Sequence, residues 1–138
     1  MTDYKEITIN SKQKEINIDR FLTTTLLNLG IPTRNMGFFF SKECAKIIYN
    51  NPMARFQMSD QVFKVVSEKY GTSVSKIERA IRHTISIATS QKTMHKLETI
   101  LNTQSSFNII HPSVCEFLCL LAESLNFIDT KVINNNCW

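Results

Sequence analysis

The sequence predicts an all-α fold, a bundle of about six helices that contains a helix-turn-helix. Apolar residues recur at three- and four-residue spacing through most of the chain, which is the pattern of amphipathic helices. Three glycines and three prolines in 138 residues are too few for a turn-rich β-sandwich or a disordered low-complexity chain. The length suits about one domain with its own hydrophobic core.

The expected domain covers residues 19–130, between an N-terminal arm at 1–18 and a C-terminal tail at 131–138. The arm is polar and mixed in charge, unlike a signal peptide, and its only pattern is a weak strand signal over residues 4–10. No apolar run approaches the roughly 20 residues of a membrane span. The sequence therefore predicts a cytoplasmic protein with no membrane partner.

Two helices are predicted ahead of the helix-turn-helix. The first begins near the capping residues 17–19 and ends at Gly30, with Pro32 as a second stop. The second covers residues 37–50 and ends before Pro52, because the residue that precedes a proline disfavours helical geometry.

Residues 61–88 have the pattern of a helix-turn-helix. An apolar stripe within residues 59–70 predicts its first helix, and residues 71–73 form the turn. The second helix is expected from about Ser73 to Ala88.

Two further helices are predicted downstream. One covers residues 93–101, and the other begins at His111 after a loop at 102–110. Ser113 and Glu116 have the spacing of a capping box at the start of this last helix.

The second helix of the motif has one apolar face and one polar face. Placed at about 100° per residue, its apolar side chains fall within one sector: Val74, Ile77, Ile81, Ile85 and Ala88. The opposite face carries the residues that we predict to bind DNA: Ser75, Lys76, Glu78, Arg79, Arg82 and His83. Such a helix fits the major groove, where Arg binds guanine O6 and N7 and Glu accepts from cytosine N4. A polar face that only meets solvent is the competing interpretation.

The basic residues are concentrated in the middle of the chain. The net charge is +4, but residues 21–90 hold nine bases and four acids, whereas the two ends are neutral or acidic. This distribution favours double-stranded DNA as the partner. Arg34, Lys42 and Lys46 are predicted as additional phosphate partners.

The cysteines and other reactive residues predict neither a metal centre nor an enzyme. The four cysteines include no CxxC pair, which suits a reduced compartment. Cys115 and Cys119 are four residues apart on the predicted last helix, but without a second pair of ligands they are better interpreted as small buried hydrophobic residues. The sequence contains no Ser/His/Asp grouping, glycine-rich phosphate loop or paired-carboxylate cleft. We predict no catalytic residue, no cofactor and no metal.

Several motifs together resemble one known family. Residues 71–83, GTSVSKIERAIRH, are similar to the recognition segment of the DNA-binding effector domain of the sporulation master response regulator of endospore-forming Firmicutes, the stage 0 sporulation protein A family. Further motifs match that family in spacing: Gly30-Ile31-Pro32, Gly37-Phe38, Lys42-Glu43, Tyr49-Asn50, Pro112 and Glu116-Phe117. The resemblance covers about residues 21–125.

This resemblance implies a six-helix bundle that binds short repeated sites near sporulation promoters. It implies that Glu78, Arg79 and Arg82 read bases, while Ser75 and His83 hold phosphates. The partners implied are double-stranded DNA, an RNA polymerase sigma factor and a second copy of the chain on tandem sites. The expected location is the nucleoid.

The chain also departs from the family in three places. Lys76 replaces an arginine, which keeps the positive charge but loses the bidentate hydrogen bonding of a guanidinium. About 20 residues precede the resemblance, too few for the family's receiver domain, so we expect action without a phosphorylatable receiver. Ser86 and residues 89–92 differ near the family's sigma-factor contact.

Two functional interpretations remain open at this point. The first is a DNA-binding regulator that competes with a full-length regulator more often than it activates. The alternative is a protein-interaction module of the same fold that binds a sigma factor or the full-length regulator.

Overall fold

Six α-helices make up most of the protein that the structure describes. The computed structural model describes the backbone of residues 3–101 and 111–136, and the side chains of residues 12–101 and 111–127. The α-helices are α1 (Asp3–Asn28), α2 (Met36–Asn50), α3 (Lys64–Tyr70), α4 (Val74–Ser90), α5 (Lys96–Leu101) and α6 (Val114–Asn136). The predicted all-α bundle is confirmed, and the described residues include no strand. The loop predicted at 102–110 lies outside the described residues.

α1 begins well before the predicted start. Residues 3–16 include the helix formers Lys, Glu and Gln but no Gly or Pro, so nothing stops the helix upstream of residues 17–19. The strand signal at 4–10 is wrong, because a strand needs a partner and the described residues offer none. The predicted stop is correct, since Gly30 adopts a left-handed backbone with φ of 83°.

The C-terminal end of α1 is bonded to the segment that follows α4. The last carbonyls of a helix have no intrahelical donor, so other groups must supply one. Three side chains donate to them at 2.8–3.4 Å: Thr93 to Leu29, Lys96 to Asn28 and Gln91 to Gly30. The segment after α4 is therefore part of the fold.

α2 lies at the centre of the bundle, where it packs against α1, α4 and α6. Each of these helices contributes side chains with no exposed surface: Leu22 and Leu26 from α1, Cys44 and Ile48 from α2, Ile77 and Ile81 from α4, and Phe117 and Leu121 from α6. This core holds one face of α4 inside the bundle.

Two short helical stretches connect α2 to α3. A 3-10 helix (Pro52–Gln57) starts at the proline that ends α2, as predicted, and a π-helical stretch (Ser59–Phe63) leads into α3. The sequence predicts a single α-helix over residues 59–70. The π-helical stretch shifts the register of the side chains, and the neighbours Val62 and Phe63 are both buried.

α6 begins with the predicted cap and is longer than predicted. Ser113 Oγ accepts from the Glu116 backbone N–H at 3.2 Å. The helix continues to Asn136, through residues that the sequence predicts as a tail without pattern, while Cys137 and Trp138 lie outside the described residues. No described helix is both long and apolar enough to cross a membrane.

Candidate nucleic-acid interface

The predicted DNA-binding residues lie together on the outer face of α4. Ile77, Ile81 and Ile85 are buried on the inner face. Five of the six predicted residues are exposed, while the sixth, Glu78, is half-buried; the exposed ones are Ser75, Lys76, Arg79, Arg82 and His83. The structure therefore keeps most of the predicted polar face in solvent along about two and a half turns of one helix.

The start of α2 positions the inner face of α4. A Cβ on Gly37 would stand 1.9 Å from Thr84 Oγ1 and 2.3 Å from the carbonyl oxygen of Ala80, so only glycine allows this approach. Asn35 Oδ1 caps α2 by accepting from the Gly37 N–H at 2.7 Å, and it also accepts from Thr84 Oγ1 at 3.3 Å. One capping side chain thus connects the start of α2 to α4.

The turn before α4 sets where the helix begins. Gly71 ends α3 with φ of 63°, and its backbone N–H and that of Thr72 both donate to the Ser67 carbonyl. No atom lies within 4 Å of a Cβ placed on Gly71, so glycine is required there for its backbone angle. Ser73 Oγ then accepts from the Lys76 N–H at 3.2 Å and caps α4. The three-residue turn between α3 and α4 agrees with the prediction.

One edge of the outer face borders α6. Glu78 and Arg82 line a hollow of about 470 Å³ together with His111 and Cys115. Partial desolvation raises the pKa of the Cys115 thiol, and the nearby negative charge of Glu78 raises it further. The hollow is thus lined by a hydrogen-bond acceptor, the Glu78 carboxylate, and by a donor, the Arg82 guanidinium, which lie about one turn apart on α4.

The opposite edge of the outer face borders α2 and the end of α3. A hollow of about 700 Å³ lies there, named below the α2–α4 hollow. Its residues are aromatic or apolar on one wall and basic on the other: Met36, Phe39, Phe40, Tyr70, Thr72, Ala80, Lys76, Arg79 and His83. Sequence reasoning missed this hollow, because α2, which forms one of its walls, is far in the chain from α3 and α4.

An ion-pair network joins α1, α2 and α3 through two lysines of α2. Lys42 and Lys46 lie 3.1 and 2.8 Å from Asp19 Oδ1, and Lys46 lies 3.1 Å from Glu43 Oε2. Burial alone would raise the pKa of Asp19, but hydrogen bonds from the two lysines outweigh it and hold that pKa below its ordinary value. Glu43 also accepts from the Tyr70 hydroxyl.

This network occupies two of the predicted phosphate partners. Lys42 and Lys46 are bonded to carboxylates of the same chain, and their role as phosphate partners stays a prediction. Arg34, in the loop before α2, is exposed and stays a prediction. The sequence could not reveal the pairing, because Asp19 is more than 20 residues away from both lysines.

The three cysteines that the structure describes lie in different environments. Cys44 is buried, and burial together with the charge of Glu43 raises the pKa of its thiol to about 12. Cys119 is half-buried, but Cys115 is exposed, so the prediction that both are buried is wrong for Cys115. In the described part of the chain, no three His, Cys, Asp or Glu residues come together as metal ligands.

A comparison with protein-family models is consistent with this geometry. The model described as the C-terminal domain of sporulation initiation factor Spo0A matches residues 22–125. The match includes α2, α3, α4 and the start of α6, and therefore every residue of the outer face.

Proposed function

The chain belongs to the family of the Spo0A C-terminal domain, a DNA-binding effector domain of a sporulation regulator, and on this premise we propose that it is a sequence-specific transcription regulator that reads double-stranded DNA with α4. The observation that carries the proposal is the outer face of α4. Five of its six side chains are exposed, while the inner face of the same helix is fixed against α2. A rigid helix with free polar side chains suits the major groove, which is wide enough to admit a helix.

Glu78, Arg79 and Arg82 are the proposed base readers. An arginine can donate two parallel hydrogen bonds to guanine, and a glutamate can accept from the amino group of cytosine. Glu78 and Arg82 line one hollow, so they can contact neighbouring positions of one site. Replacement of Glu78 by alanine should broaden sequence preference with little loss of overall affinity, because its carboxylate repels phosphates wherever cytosine is missing.

Ser75, Lys76 and His83 are the proposed phosphate contacts, with Arg34 as a further candidate. These contacts fix the position of the protein on the duplex without reading sequence. They also make binding depend on salt, because each neutralised phosphate releases counterions.

A sigma-factor contact has weaker support than DNA binding. Ser86 Oγ donates to the Arg82 carbonyl at 3.1 Å, and Gln91 Nε2 donates to the Gly30 carbonyl at the end of α1 at 3.4 Å. These side chains are occupied within the chain, so we propose that a bound copy occupies its site without recruiting polymerase. Such a copy would compete with a full-length regulator for shared sites on the nucleoid, in the cytoplasm. A second copy on an adjacent repeat would bind at an effective concentration in the mM range.

Fluorescence anisotropy with labelled duplexes tests the proposal. A duplex that carries the family's repeat should bind more tightly than a scrambled duplex of equal length and composition. The logarithm of the binding constant should fall with the logarithm of the salt concentration, by about 0.9 for each phosphate contact. Binding that is equal for both duplexes and flat in salt would contradict the proposal and favour the protein-interaction alternative.

A matched pair of lysine variants assigns the phosphate contacts. Lys76→Gln should reduce the salt slope by about one unit without changing the preference between the duplexes. Lys12→Gln is the control, because Lys12 is also exposed but lies on α1, outside the outer face of α4. An equal change in both variants would indicate a general effect of net charge.

A further inference from the structure

We propose that the α2–α4 hollow is a binding site for a small aromatic carboxylate, and that this ligand and DNA exclude one another. The site itself stands on the geometry of the hollow, while the exclusion rests on the proposed DNA-binding function.

The apolar wall of the hollow has the composition of a ligand site. Met36 is 59% exposed and Tyr70 is 38% exposed, so both offer apolar surface at the mouth of the hollow. The ring of Phe39 meets the ring of Tyr70 edge to face, with the centroids 4.8 Å apart, so the two rings are held in a fixed arrangement. The Tyr70 hydroxyl donates to Glu43, which satisfies its polar end and leaves the ring for apolar contact.

The dimensions of the hollow suit a small molecule. Its volume is about 700 Å³, within the range of roughly 300–1,000 Å³ that is typical of small-molecule sites. A flat aromatic body could add a third ring to the Phe39–Tyr70 pair, at the offset or edge-to-face geometry that such rings prefer.

The opposite wall determines the charge of the ligand. Lys76, Arg79 and His83 follow one another at three- and four-residue spacing along α4, so they form one stripe. None of them makes an ion pair with a carboxylate among the described residues. The residues that line the hollow include no Asp or Glu. An apolar body next to the two cations Lys76 and Arg79 therefore calls for an anion, and arginine binds a carboxylate with two hydrogen bonds.

The same three bases connect the hollow to DNA. Lys76, Arg79 and His83 belong to the proposed DNA contacts, and they cannot hold a phosphate and a ligand carboxylate at the same positions. A bound carboxylate also neutralises part of the positive charge that attracts DNA. Ligand and DNA should therefore weaken each other's binding by the same factor.

Titration of the ¹⁵N-labelled protein with 2-naphthoate, in the absence of DNA, tests the site. Saturable shifts are expected at the backbone amides of Met36, Phe39, Thr72 and Ala80. The neutral analogue 2-naphthalenemethanol should bind at least tenfold more weakly, because it lacks the charge. The absence of saturable shifts at these amides, or equal binding of the alcohol, would overturn the proposal.

Two methionine variants provide the matched control. Met36→Glu places a carboxylate at the mouth of the hollow and should weaken naphthoate binding at least tenfold. Met53→Glu makes the same exchange at a residue that is 68% exposed on the 3-10 helix, outside the hollow, and should leave binding unchanged. Both positions are exposed, so neither variant is expected to unfold the protein. Equal weakening by the two variants would overturn the location of the site.

A second measurement tests the exclusion. Saturating naphthoate should raise the apparent Kd for the specific duplex at least fivefold in the original chain, whereas the same concentration of acetate controls for ionic strength. In Met36→Glu the Kd for DNA should not respond to naphthoate. An unchanged Kd in the original chain with the hollow occupied would show that the exclusion is wrong. A chain that binds no DNA would contradict the proposed function, and the titration would still decide whether the hollow binds the carboxylate.

Discussion

The inner and outer faces of α4 differ in how far their side chains are buried. On the inner face Ile77 and Ile81 have no exposed surface, and Thr84 is hydrogen-bonded to Asn35. On the outer face Arg79 and Arg82 extend into solvent. Successive side chains are about 100° apart. The residues on one side of a helix can therefore stabilise the fold, while those on the other side remain available to bind a partner. Mutation of an inner-face residue should therefore lower the free energy of unfolding, whereas mutation of its outer-face neighbour should lower the affinity for DNA.

The largest effect is expected from Ile81→Ala. This substitution removes a fully buried side chain and leaves a cavity, which should lower the free energy of unfolding by about 2–5 kcal/mol. Urea denaturation measures the change, with the slope of the transition as a check on two-state behaviour. A loss below about 1 kcal/mol would indicate that the inner face does not carry the stability, and the comparison between the faces would fail.

Gly37→Ala tests the approach of α2 to the inner face. The added methyl group would overlap Thr84 Oγ1 and the Ala80 carbonyl oxygen. We expect a loss of about 1–3 kcal/mol in the free energy of unfolding, together with weaker DNA binding, because α4 must move outward.

Ser41→Ala is the control on the same helix. Ser41 is buried and its hydroxyl has no hydrogen-bond partner in the described residues, so its removal should cost little or nothing. If Gly37→Ala is as stable as Ser41→Ala, the contact between α2 and α4 tolerates a methyl group and does not position the helix.

Arg82→Ala tests whether an outer-face residue contributes to DNA binding and not to stability. Arg82 follows Ile81 directly and is exposed, so we expect a change in the free energy of unfolding within about 0.5 kcal/mol. Binding to the specific duplex should weaken by about 1–3 kcal/mol, with relaxed preference at one guanine. Anisotropy with single-base variants of the duplex measures both effects. Equal loss on specific and scrambled DNA would show that Arg82 contacts phosphate only.

Asp19→Asn should have the smallest effect, because the Asp19 side chain is 44% exposed. The pKa of Asp19 is lowered in the folded state, so its ion pairs stabilise the fold above the ordinary pKa of 3.8 and lose that effect as the pH falls through the folded-state value. At neutral pH the variant should lose less than about 1 kcal/mol of unfolding free energy.

Thermal unfolding of both proteins across the acidic range measures this difference. It should shrink as the pH falls and vanish once Asp19 is protonated. A difference that stays constant with pH would assign the effect to packing of the side chain and not to its charge.

Local patterns in the sequence determined the helices and the chemistry of the proposed interface. The stops at Gly30 and Pro52, the turn at residues 71–73 and the cap at Ser113 depend on residues that are neighbours in the chain. The same holds for the two faces of α4, because helical spacing alone separates Ile81 from Arg82. Sequence reasoning could therefore predict which residues share the outer face of α4.

Only the tertiary structure showed which bases are paired with carboxylates of the same chain. Lys42 and Lys46 look like phosphate partners in the sequence, but Asp19 reaches them once α1 packs on α2. The extent of α1 also escaped prediction, because a segment without helix breakers is ambiguous until its packing partners are known.

The same reason explains the approach of Gly37 to Ala80 and the hollow beside α4. Each is formed by residues that lie on separate helices and are far apart in the chain. Their interaction depends on distances between packed helices, which the spacing of residues along one helix does not encode.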